Sequence, residues 1–508
     1  MPSKLKPRIV RKRSRKWTNK HENFTLKIAG LCDVWNPADS ANRRIEAYNA
    51  TTKGLRDLIG AAEKKEQRIR ALGSAWSISY AAATDGLLIN TKPLNRIFRL
   101  SDPSISDEYT GEPENLLFVQ CGVSIRELNT YLRRRGKSLK TSGASNGQTI
   151  TGALSTGTHG SAIDTGAIQD FVKGLHLITG KNRHVWLERA SDPVMSPRFA
   201  GHLDTEVIRD DAVFNAALVS FGSFGTIHGV LIETEDIFLL EASRIKLPFD
   251  DDLKHVIHTL DFSRIALPDP NRRPHHFEIV INPHATDGMA FCTVMYKKAF
   301  NPDLMEQRTS SGGFQPGDDF LSVIGTLLDH APSAIPTAVN KLIASQYREY
   351  SGRNGTLGDI FSTTHTRGKA TGSAMGVPLE DTGRALDAIM EIHKLSRNFP
   401  GVFAFRYVKK SDALMAFTRY SPTCVIDLDA VDNQTTWRFF RNAWRALDER
   451  QIPYTFHWGK ANEMTADSVR KMYGNAVDTW LNIRRSLLDE KSRRTFSSPF
   501  TDQCGLSE

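Results

Sequence analysis

Apolar and polar residues alternate along the first half of the chain in a way that predicts strands and helices following one another. The run Leu116-Leu117-Phe118-Val119-Gln120 is almost wholly apolar, which is typical of a buried strand. Ser124 then predicts a helix start, because Glu127 follows at the capping-box spacing, and Gly136 predicts the helix end. Further segments of this half are predicted as helices over 51–66 and 211–220 and as strands over 68–72 and 86–90.

The pattern changes near residue 244, after which strand-like segments are frequent. We predict strands over 277–282, 291–297, 402–408, 414–418 and 425–428. Helices are predicted over 380–396, 435–449 and, as a single final helix, 465–490. The Gly/Ser/Pro-rich run 309–317 indicates a surface loop. The fold class that follows is α+β, with an antiparallel sheet covered by helices in the second half.

Glycine-rich segments interrupt these elements at three places. They are Arg70–Ser77, residues 141–162 and the cluster Phe221–Gly225. The run 141–162 shows neither a helical nor a strand period, and its glycines would let backbone amides come close to a ligand. No G-x-G-x-x-G or G-x-x-x-x-G-K-[ST] motif is present, so the sequence supports neither a Rossmann site nor a P-loop.

The net charge of +9 over 508 residues is concentrated at the amino terminus. Residues 1–20 contain nine Lys and Arg and no acidic residue, so the remainder of the chain is close to neutral. This segment lacks the apolar core of a secretory signal, and no stretch approaches the length of a membrane span, which favours a cytoplasmic protein. We interpret residues 1–20 as a solvated arm, with weak contact to an anionic surface as the functional alternative.

Several kinds of chemistry are excluded by spacing. The five cysteines are scattered and form no C-x-x-C pair, which argues against a disulfide scaffold or a thiolate zinc site. No metal site is predicted, because the histidines show no H-E-x-x-H or comparable spacing. A serine hydrolase lacks support too, since there is no G-x-S-x-G motif.

Taken together, the glycine-rich segments resemble those of the vanillyl-alcohol-oxidase-type (PCMH) FAD-binding flavoproteins. Within them the chain is similar to the branch of D-arabinono-1,4-lactone, L-gulonolactone and alditol oxidases, with sterol oxidases as further relatives. The motifs that carry the resemblance are Arg70–Ser77, Gly122-Val123, Gly152–Gly160, Phe224–Ile227 and His457-Trp458-Gly459-Lys460. The resemblance implies a basic tail (1–21), a two-subdomain FAD-binding domain (22–240), a substrate or cap domain (241–450) and a carboxyl-terminal segment returning to the FAD site (451–508).

The resemblance also implies which residues hold FAD. The diphosphate loop would be Ala71, Leu72, Gly73, Ser74, Ala75, Trp76 and Ser77. The flavin and the far side of the diphosphate would be lined by Gly143, Ala144, Thr149, Gly152, Thr156, Gly157, Thr158 and His159, with Ile227 near the adenine. His457 and Lys460 would return to the flavin, where a fixed cation stabilises the negative charge left by hydride transfer.

The chain departs from the branch at three positions. Trp76 stands where members with covalently bound flavin have His, so we expect non-covalent FAD. Ala404 stands where the branch has Glu two residues before Arg406, so the Glu of an expected Glu–Arg pair is missing and only the Arg is kept. The segment 372–378, Gly-Ser-Ala-Met-Gly-Val-Pro, lacks the carboxylates often found before this Val-Pro.

A replacement base must therefore come from elsewhere in the cap. Arg406 is predicted to orient substrate and Asp427 to act as base, because a carboxylate tuned near neutrality can take the hydroxyl proton. Other candidates on or beside predicted strands are Asp429, Glu278, His275 and His276. Gly143, beside the expected flavin edge, leaves space for oxygen and so favours an oxidase.

The function we infer is oxidation of a CH–OH group of a polyol, sugar or sugar lactone by hydride transfer to flavin N5. Oxygen or another acceptor would then reoxidise the flavin. Three alternatives stay open at this point: a sterol or secondary-metabolite alcohol oxidase, a flavin-binding protein without alcohol oxidase activity, and a nucleic-acid or membrane-surface binder acting through residues 1–20. The last has little support, because aromatic residues are not interleaved with the basic ones. The sequence leaves the oligomeric state open.

Overall fold

A computed structural model describes residues 5–38, 43–100, 102–305, 335–362, 370–396 and 398–508. Within these ranges helices and strands of mixed order build three main sheets, so the predicted α+β class is confirmed. The first sheet has the spatial order β1–β4–β6–β5, antiparallel between β1 and β4 and parallel elsewhere. Its part of the chain contains β1 (Arg8–Lys12), β2 (Lys16–Thr18), β3 (Thr25–Lys27), β4 (Gly30–Trp35), α1 (Arg44–Glu63), β5 (Ile69–Leu72) and β6 (Leu87–Asn90).

The second sheet has six strands in the order β12–β11–β10–β13–β8–β7. Its strands are β7 (Ile97–Arg99), β8 (Leu116–Gln120), β10 (Val172–Ile178), β11 (His184–Glu188), β12 (Glu206–Arg209) and β13 (Thr226–Glu233). The helices around it are α2 (Ile125–Arg133), α3 (Ile150–Thr156), α4 (Pro197–Leu203) and α5 (Asp211–Leu218). Two short pairs complete this half, β2 with β3 and β9 (Lys137–Ser138) with β14 (Glu235–Asp236).

The third sheet has eight antiparallel strands in the order β18–β15–β17–β16–β20–β21–β19–β22. Its strands are β15 (Phe238–Pro248), β16 (His276–Ile281), β17 (Met289–Ala299), β18 (Tyr350–Gly355), β19 (Ala370–Pro378), β20 (Gly401–Val408), β21 (Thr423–Val431) and β22 (Thr455–Phe456). The helices between these strands are α6 (Asp251–Thr259), α7 (Ile335–Gln346), α8 (Leu357–Ile360), α9 (Thr382–Ser396) and α10 (Gln434–Glu449). The 240/241 boundary expected from sequence falls inside β15.

The chain ends in four consecutive helices. They are α11 (Ala466–Tyr473), α12 (Ala476–Leu487), α13 (Glu490–Thr495) and α14 (Pro499–Gln503). The single helix predicted over 465–490 is therefore wrong, because Gly474 has a φ of +55° and ends the first helix. Across the described ranges, no helix is both long enough and apolar enough to cross a membrane.

Local sequence signals account for the start of α2. The Ser124 Oγ accepts from the Glu127 N–H at 3.2 Å, and the Glu127 carboxylate accepts from the Ser124 N–H at 2.8 Å. The predicted capping box is thus confirmed. The apolar stripe of this helix, Ile125, Leu128 and Leu132, is buried.

Helix α3 contradicts the expectation that residues 141–162 have no regular structure. Thr149 caps it by accepting from the Gly152 N–H, and Ile150, Ala153 and Leu154 form a buried face at helical spacing. The expectation failed because three apolar residues are too short a run to reveal a helical period among so many Gly, Ser and Thr residues.

Two other predicted segments differ or cannot be compared. Residues 414–418 form a buried turn instead of a strand, with the Ala416 N–H donating to the Ala413 carbonyl. A short apolar run does not distinguish a strand from a buried loop, which explains the error. The loop predicted over 309–317 lies outside the described residues.

The basic amino-terminal segment is not a free arm. Strand β1 pairs along its whole length with β4, from Arg8 opposite Trp35 to Lys12 opposite Leu31. Ile9 packs against the core, whereas most basic side chains of residues 8–16 remain exposed. The sequence concentrates charge here because an edge strand keeps its side chains in water, and basic residues on an edge discourage pairing with other chains.

Trp458 ties the carboxyl-terminal segment to the first half of the chain. Its ring is fully buried, packs on Phe221 at a centroid distance of 4.2 Å and donates from Nε1 to the Met415 carbonyl at 2.7 Å. We expect Trp458→Ala to lower the free energy of unfolding by about 3–5 kcal/mol, because it leaves a large cavity. Urea unfolding followed by circular dichroism measures this loss.

The matched control is Trp35→Ala, at a tryptophan that is 40% exposed. We expect a loss of about 0.5–1 kcal/mol there, mainly from its contact with the Arg8 guanidinium. Equal losses in the two variants would contradict the role given to Trp458.

Candidate active site

A cleft lies where loops of the first two sheets meet the face of the third. It encloses about 1590 Å³, counted out to its open mouth. The predicted site residues that line it are Ala71, Leu72, Gly73, Ser74, Ala75, Trp76, Ser77, Gly143, Ala144, Thr149, Gly152, Thr156, Thr158, His159, Ile227, Arg406, Asp427, His457 and Lys460.

Residues 71–77 form one wall, directly after β5. Gly73 is required there, since a Cβ would lie 2.2 Å from the Thr149 Oγ1. Ala75 has a φ of +59°, a left-handed conformation that costs a non-glycine residue roughly 1–2 kcal/mol. The Ser74 Oγ is buried without a hydrogen-bond partner. A strained turn with an unpartnered hydroxyl is suited to a ligand that contacts the wall closely.

Helix α3 forms part of the opposite wall. The Thr156 Oγ1 donates to the Gly152 carbonyl at 3.0 Å, which keeps this polar side chain against its own helix. Gly157, predicted to contact the cofactor, does not line the cleft. It ends α3 with a φ of +79°, and a Cβ there would lie 3.3 Å from the Phe417 ring.

The corner around Trp76 contains residues that the sequence did not single out. His21 packs edge-on against the Trp76 ring at 5.4 Å, and the Lys20 Nζ lies 3.8 Å from the ring centroid. Burial, followed by the charges of Lys460 and Lys20, lowers the pKa of His21 to about 4. The His21 imidazole is therefore neutral near pH 7, and its Nδ1 is buried without a hydrogen-bond partner.

Arg406 stands at the centre of the wall formed by the third sheet. Its Nε donates to the Glu278 Oε1 and its Nη1 to the Asp427 Oδ2, both at 2.7 Å. Strand register explains the arrangement, since β20 lies between β16 and β21 and Glu278 is directly opposite Arg406. Of these three residues, Arg406 and Asp427 line the cleft, whereas Glu278 lies behind them.

The two carboxylates on Arg406 differ in acidity. Burial acts to raise the pKa of Glu278, but the charges of Arg406, His276 and Arg244 together outweigh it, so the pKa lies below its ordinary value. Burial raises the pKa of Asp427 to about 6, against the effect of Arg406 and with help from Asp429. The Asp427 Oδ1 has no hydrogen-bond partner. Two carboxylates whose environments separate their pKa values in this way are typical of acid–base sites.

A second ion pair lies beside the first. The Lys460 Nζ is 3.3 Å from the Asp429 Oδ1. Gly372 is directly opposite Asp429 on β19, and a Cβ at Gly372 would lie 2.5 Å from that carboxylate oxygen. The missing side chain at 372 therefore provides the space that the Asp429 side chain occupies.

His159 and His457 face each other at a ring distance of 5.7 Å. Burial and the Arg406 charge lower the pKa of His159 to about 3, and burial also lowers that of His457 well below its ordinary value. The His159 Nδ1 donates to the Gly160 carbonyl, whereas the His457 Nδ1 accepts from the Gly459 N–H, both at 2.9 Å. The neutral rings are therefore opposite tautomers, with the proton of His457 on Nε2.

Some sequence candidates lie away from the cleft, and other lining residues were missed. His275 and His276 do not line it, while Asp429 does. Arg70 and Gly222 line it although neither was assigned a role. Both belong to the glycine-rich segments already noted, which was the available signal. Among the described residues, no group of three or more His, Cys, Asp or Glu side chains is placed to hold a metal ion.

Comparisons with known protein families divide the chain into two regions. The family model described as "FAD binding domain" matches residues 46–188. The model described as "D-arabinono-1,4-lactone oxidase" matches residues 267–503. The first region contains wall 71–77 and α3, and the second contains Arg406, Asp427 and Lys460.

Curated relatives share low identity over long stretches. The L-gulono-1,4-lactone dehydrogenase of Mycobacterium tuberculosis is 24% identical over 87% of this chain and 93% of its own length. The mouse L-gulonolactone oxidase is 22% identical over 87% of this chain and 91% of its own length. The D-arabinono-1,4-lactone oxidase of Saccharomyces cerevisiae is 26% identical over 39% of this chain and 33% of its own length.

Among solved structures, the cholesterol oxidase of Brevibacterium sterolicum has the same fold. The TM-score is 0.72 over 98% of this chain and 97% of that chain, at 13% identity. The likeness extends across both halves, so the fold is shared as a whole.

These findings define a class of protein: one in which an FAD-binding region is combined with a second region that completes the cleft. Within that class the chain is an FAD-dependent oxidoreductase that is similar to aldonolactone oxidases and dehydrogenases. The resemblance stated from the glycine-rich motifs is thereby confirmed.

The low pKa of His159 makes stability depend on pH. The unfolded chain takes up a proton on this residue near pH 6.5, whereas the folded chain does so only near pH 3. Acidification below 6.5 therefore favours unfolding. We expect His159 to account for about 2 kcal/mol of stability lost between pH 7 and pH 5. Urea unfolding of the wild type and His159→Gln at both pH values measures it, and the variant should lose correspondingly less.

The exposed histidine at position 202 provides the control. His202→Gln should leave the difference in free energy of unfolding between pH 7 and pH 5 as it is in the wild type. An unchanged pH dependence in His159→Gln would show that the folded protein accepts a proton at this residue.

Proposed function

We propose that the protein oxidises a CH–OH group of a neutral polyol, sugar or sugar lactone, with FAD as the hydride acceptor. The observation that carries this proposal is the charged cluster of Arg406, Asp427, Asp429 and Lys460, which faces the same cleft as wall 71–77. The relatives support a lactone in particular, because they are named for L-gulono-1,4-lactone and D-arabinono-1,4-lactone.

The residues of the cleft fit FAD. The absence of a side chain at Gly73 and the unpartnered Ser74 hydroxyl suit close approach of a diphosphate to wall 71–77. Gly143, Ala144 and the side of α3 would contact the flavin, and Ile227 the adenine end. When bound, FAD supplies a hydride acceptor at N5 of its ring system.

Asp427 and Arg406 would act together on the substrate. The Arg406 guanidinium orients the hydroxyl oxygen, since it stays charged and is fixed by Glu278 from behind. The unpartnered Oδ1 of Asp427 takes the proton from the hydroxyl oxygen, while hydride leaves the carbon that bears this hydroxyl. A pKa of about 6 suits this task, because the carboxylate is ionised at neutral pH yet remains basic.

Strand β21 would compensate for the carboxylates that this chain lacks. Asp427 is directly opposite Ala404, the position at which the resembled branch has Glu. Asp429 is directly opposite Gly372, in the segment where carboxylates were expected before Val377-Pro378. In both places a small residue on one strand faces an aspartate on the next, so the charge is kept in the cleft from a different backbone position.

Lys460 and His457 would stabilise charge from the carboxyl-terminal segment. Lys460 holds a positive charge at the cleft wall next to Asp429. This charge would stabilise the negative charge that the flavin gains when it accepts hydride. The neutral His457 would hold a proton at Nε2 for a hydrogen bond.

The charge of the cleft supports a neutral hydroxylated substrate over a sterol. Arg406 and Lys460 face three carboxylates, so the cluster is net negative when all are ionised. A sugar acid would add a further negative charge, whereas a lactone or polyol adds none. A sterol would cover these ion pairs with apolar ring surface and offer them few hydrogen bonds, and such desolvation of charged groups is costly. The likeness to cholesterol oxidase therefore supports the fold, while the cluster supports a more polar substrate.

The direct test is anaerobic reduction of the bound flavin. We expect an aldonolactone or alditol to bleach the absorbance near 450 nm, and cholesterol to leave it unchanged. Mixing the reduced protein with oxygen then distinguishes an oxidase from a dehydrogenase that uses another acceptor. Bleaching by the sterol alone would favour the alternative, and no bleaching by any substrate would leave a flavin-binding protein without this activity.

We expect Asp427→Asn to lower kcat/KM by about 10²–10⁴-fold, since the proton acceptor is lost. In the wild type, kcat/KM should rise with pH through about 6 as Asp427 ionises, and the variant should lack this limb. Steady-state kinetics between pH 5 and pH 8 measure both effects.

Glu278→Gln is the matched control, because it removes the other carboxylate that holds Arg406. We expect Glu278→Gln to retain the rise of kcat/KM with pH through about 6, even if kcat/KM is lower at every pH. An acidic limb that survives in Asp427→Asn would rule out Asp427 as the base.

Trp76 supports non-covalent attachment of FAD, because its indole cannot form the histidyl bond. We expect acid precipitation to release all of the flavin into the supernatant, as measured by absorbance and by mass spectrometry of the intact chain. A yellow pellet that becomes colourless in His21→Gln would instead indicate a covalent bond to this neighbouring imidazole.

A further inference from the structure

Two buried arginines lie close together, one in the wall of the cleft and one behind it. Arg70, on β5, is 2% exposed, and Arg484, on α12, is fully buried. Within the residues that the structure describes, neither has a carboxylate within 4 Å. Asp502 offsets part of their positive charge from a distance, but it is paired directly with Arg68 at 2.6 Å. Buried charges are normally paired, so two neighbouring cations without a direct anionic partner are unusual.

The two side chains differ in how their donors are satisfied. The Arg484 guanidinium donates to the Ser223, Arg493 and Ser507 carbonyls at 2.6–2.9 Å. Arg70 donates from Nη1 to the Phe221 carbonyl, but its Nε and Nη2 are buried without a partner. Arg70 is therefore the incompletely satisfied member of the pair.

Arg70 is placed between two walls of the cleft. It immediately precedes wall 71–77, and its Nη1 bonds the loop that contains Gly222. A Cβ at Gly222 would lie 3.0 Å from the Arg70 Nη1, so glycine provides the room for the guanidinium. Both Arg70 and Gly222 line the cleft.

Burial and neighbouring charge both disfavour the charged form of the two arginines. Burial and the Arg68 charge lower the pKa of Arg70 to about 10, and burial and the Arg70 charge lower that of Arg484 to about 9. Both remain cationic at pH 7. An anion bound in the cleft would offset two positive charges held in a medium of low dielectric constant.

We propose that Arg70, supported from behind by Arg484, is the cationic subsite for the diphosphate of the adenine dinucleotide. The proposal rests on the FAD site proposed above. Arg70 acts in two ways. Its guanidinium places a fixed positive charge in the wall of the cleft, and its Nη1 holds the Phe221 carbonyl in position. It thereby favours FAD over riboflavin, which has no phosphate.

The test compares ligands with and without phosphate on the full-length chain stripped of flavin. We expect Arg70→Met to weaken FAD binding by about 10- to 100-fold, since a charged partner is lost. Riboflavin binding should be unchanged, and Arg70→Lys should restore most of the FAD affinity. Flavin fluorescence titration measures all three. Equal losses for FAD and riboflavin would overturn the proposal, because they indicate a structural role only.

Arg68→Met is the matched control. It removes a positive charge two residues before Arg70, and the Arg68 side chain is partly exposed. It should leave FAD affinity close to that of the wild type. A loss as large as that of Arg70→Met would overturn the proposal, because any charge in the region would then suffice.

A second measurement keeps the proposal testable if Arg70→Met does not fold. We expect ADP to raise the melting temperature of the wild-type chain stripped of flavin, and adenosine at the same concentration to leave it unchanged. Equal effects of ADP and adenosine would overturn the proposal. Stabilisation by ADP in a chain that no alcohol reduces would retain the subsite while rejecting the proposed oxidation.

Discussion

The Arg406 guanidinium lies between carboxylates from the strands on either side, and the chemistry of the cleft depends on this bridge. Glu278 holds it from behind and Asp427 from the front, each at 2.7 Å. Because both carboxylates are buried, neither could remain ionised there without the arginine. The bridge therefore fixes the position of the group proposed to act as base, and it leaves one Asp427 oxygen without a partner.

Small residues on neighbouring strands make this concentration of charge possible. Ala404 and Gly372 stand directly opposite Asp427 and Asp429, and both aspartates come from β21. A larger residue at 372 would collide with the Asp429 carboxylate. The antiparallel register thus replaces a pair expected along one strand by pairs across strands, which preserves the charge although the residue positions change.

Much of the fold follows from local signals, and the errors arise where those signals are short. The capping box of Ser124 and Glu127 and the apolar run 116–120 appear as predicted, because each is determined within a few residues. Helix α3 and the turn at 414–418 were missed, since a few apolar residues fit several structures. The glycine motifs located the cleft lining. The placement of Asp427 opposite Ala404 depends on strand register, which a single sequence does not specify.

The two ends of the cleft differ in charge, and each end suits a different kind of ligand. The walls near β5 and the 221–225 loop are backed by the cations Arg70 and Arg484, which suits an anionic diphosphate. The wall of the third sheet is slightly negative, which suits a neutral polyhydroxylated molecule. The net charge of the chain reveals neither feature, because its excess corresponds to the nine basic residues within 1–20. In the proposed function, substrate and cofactor preference depend instead on a few buried groups whose charges nearly cancel.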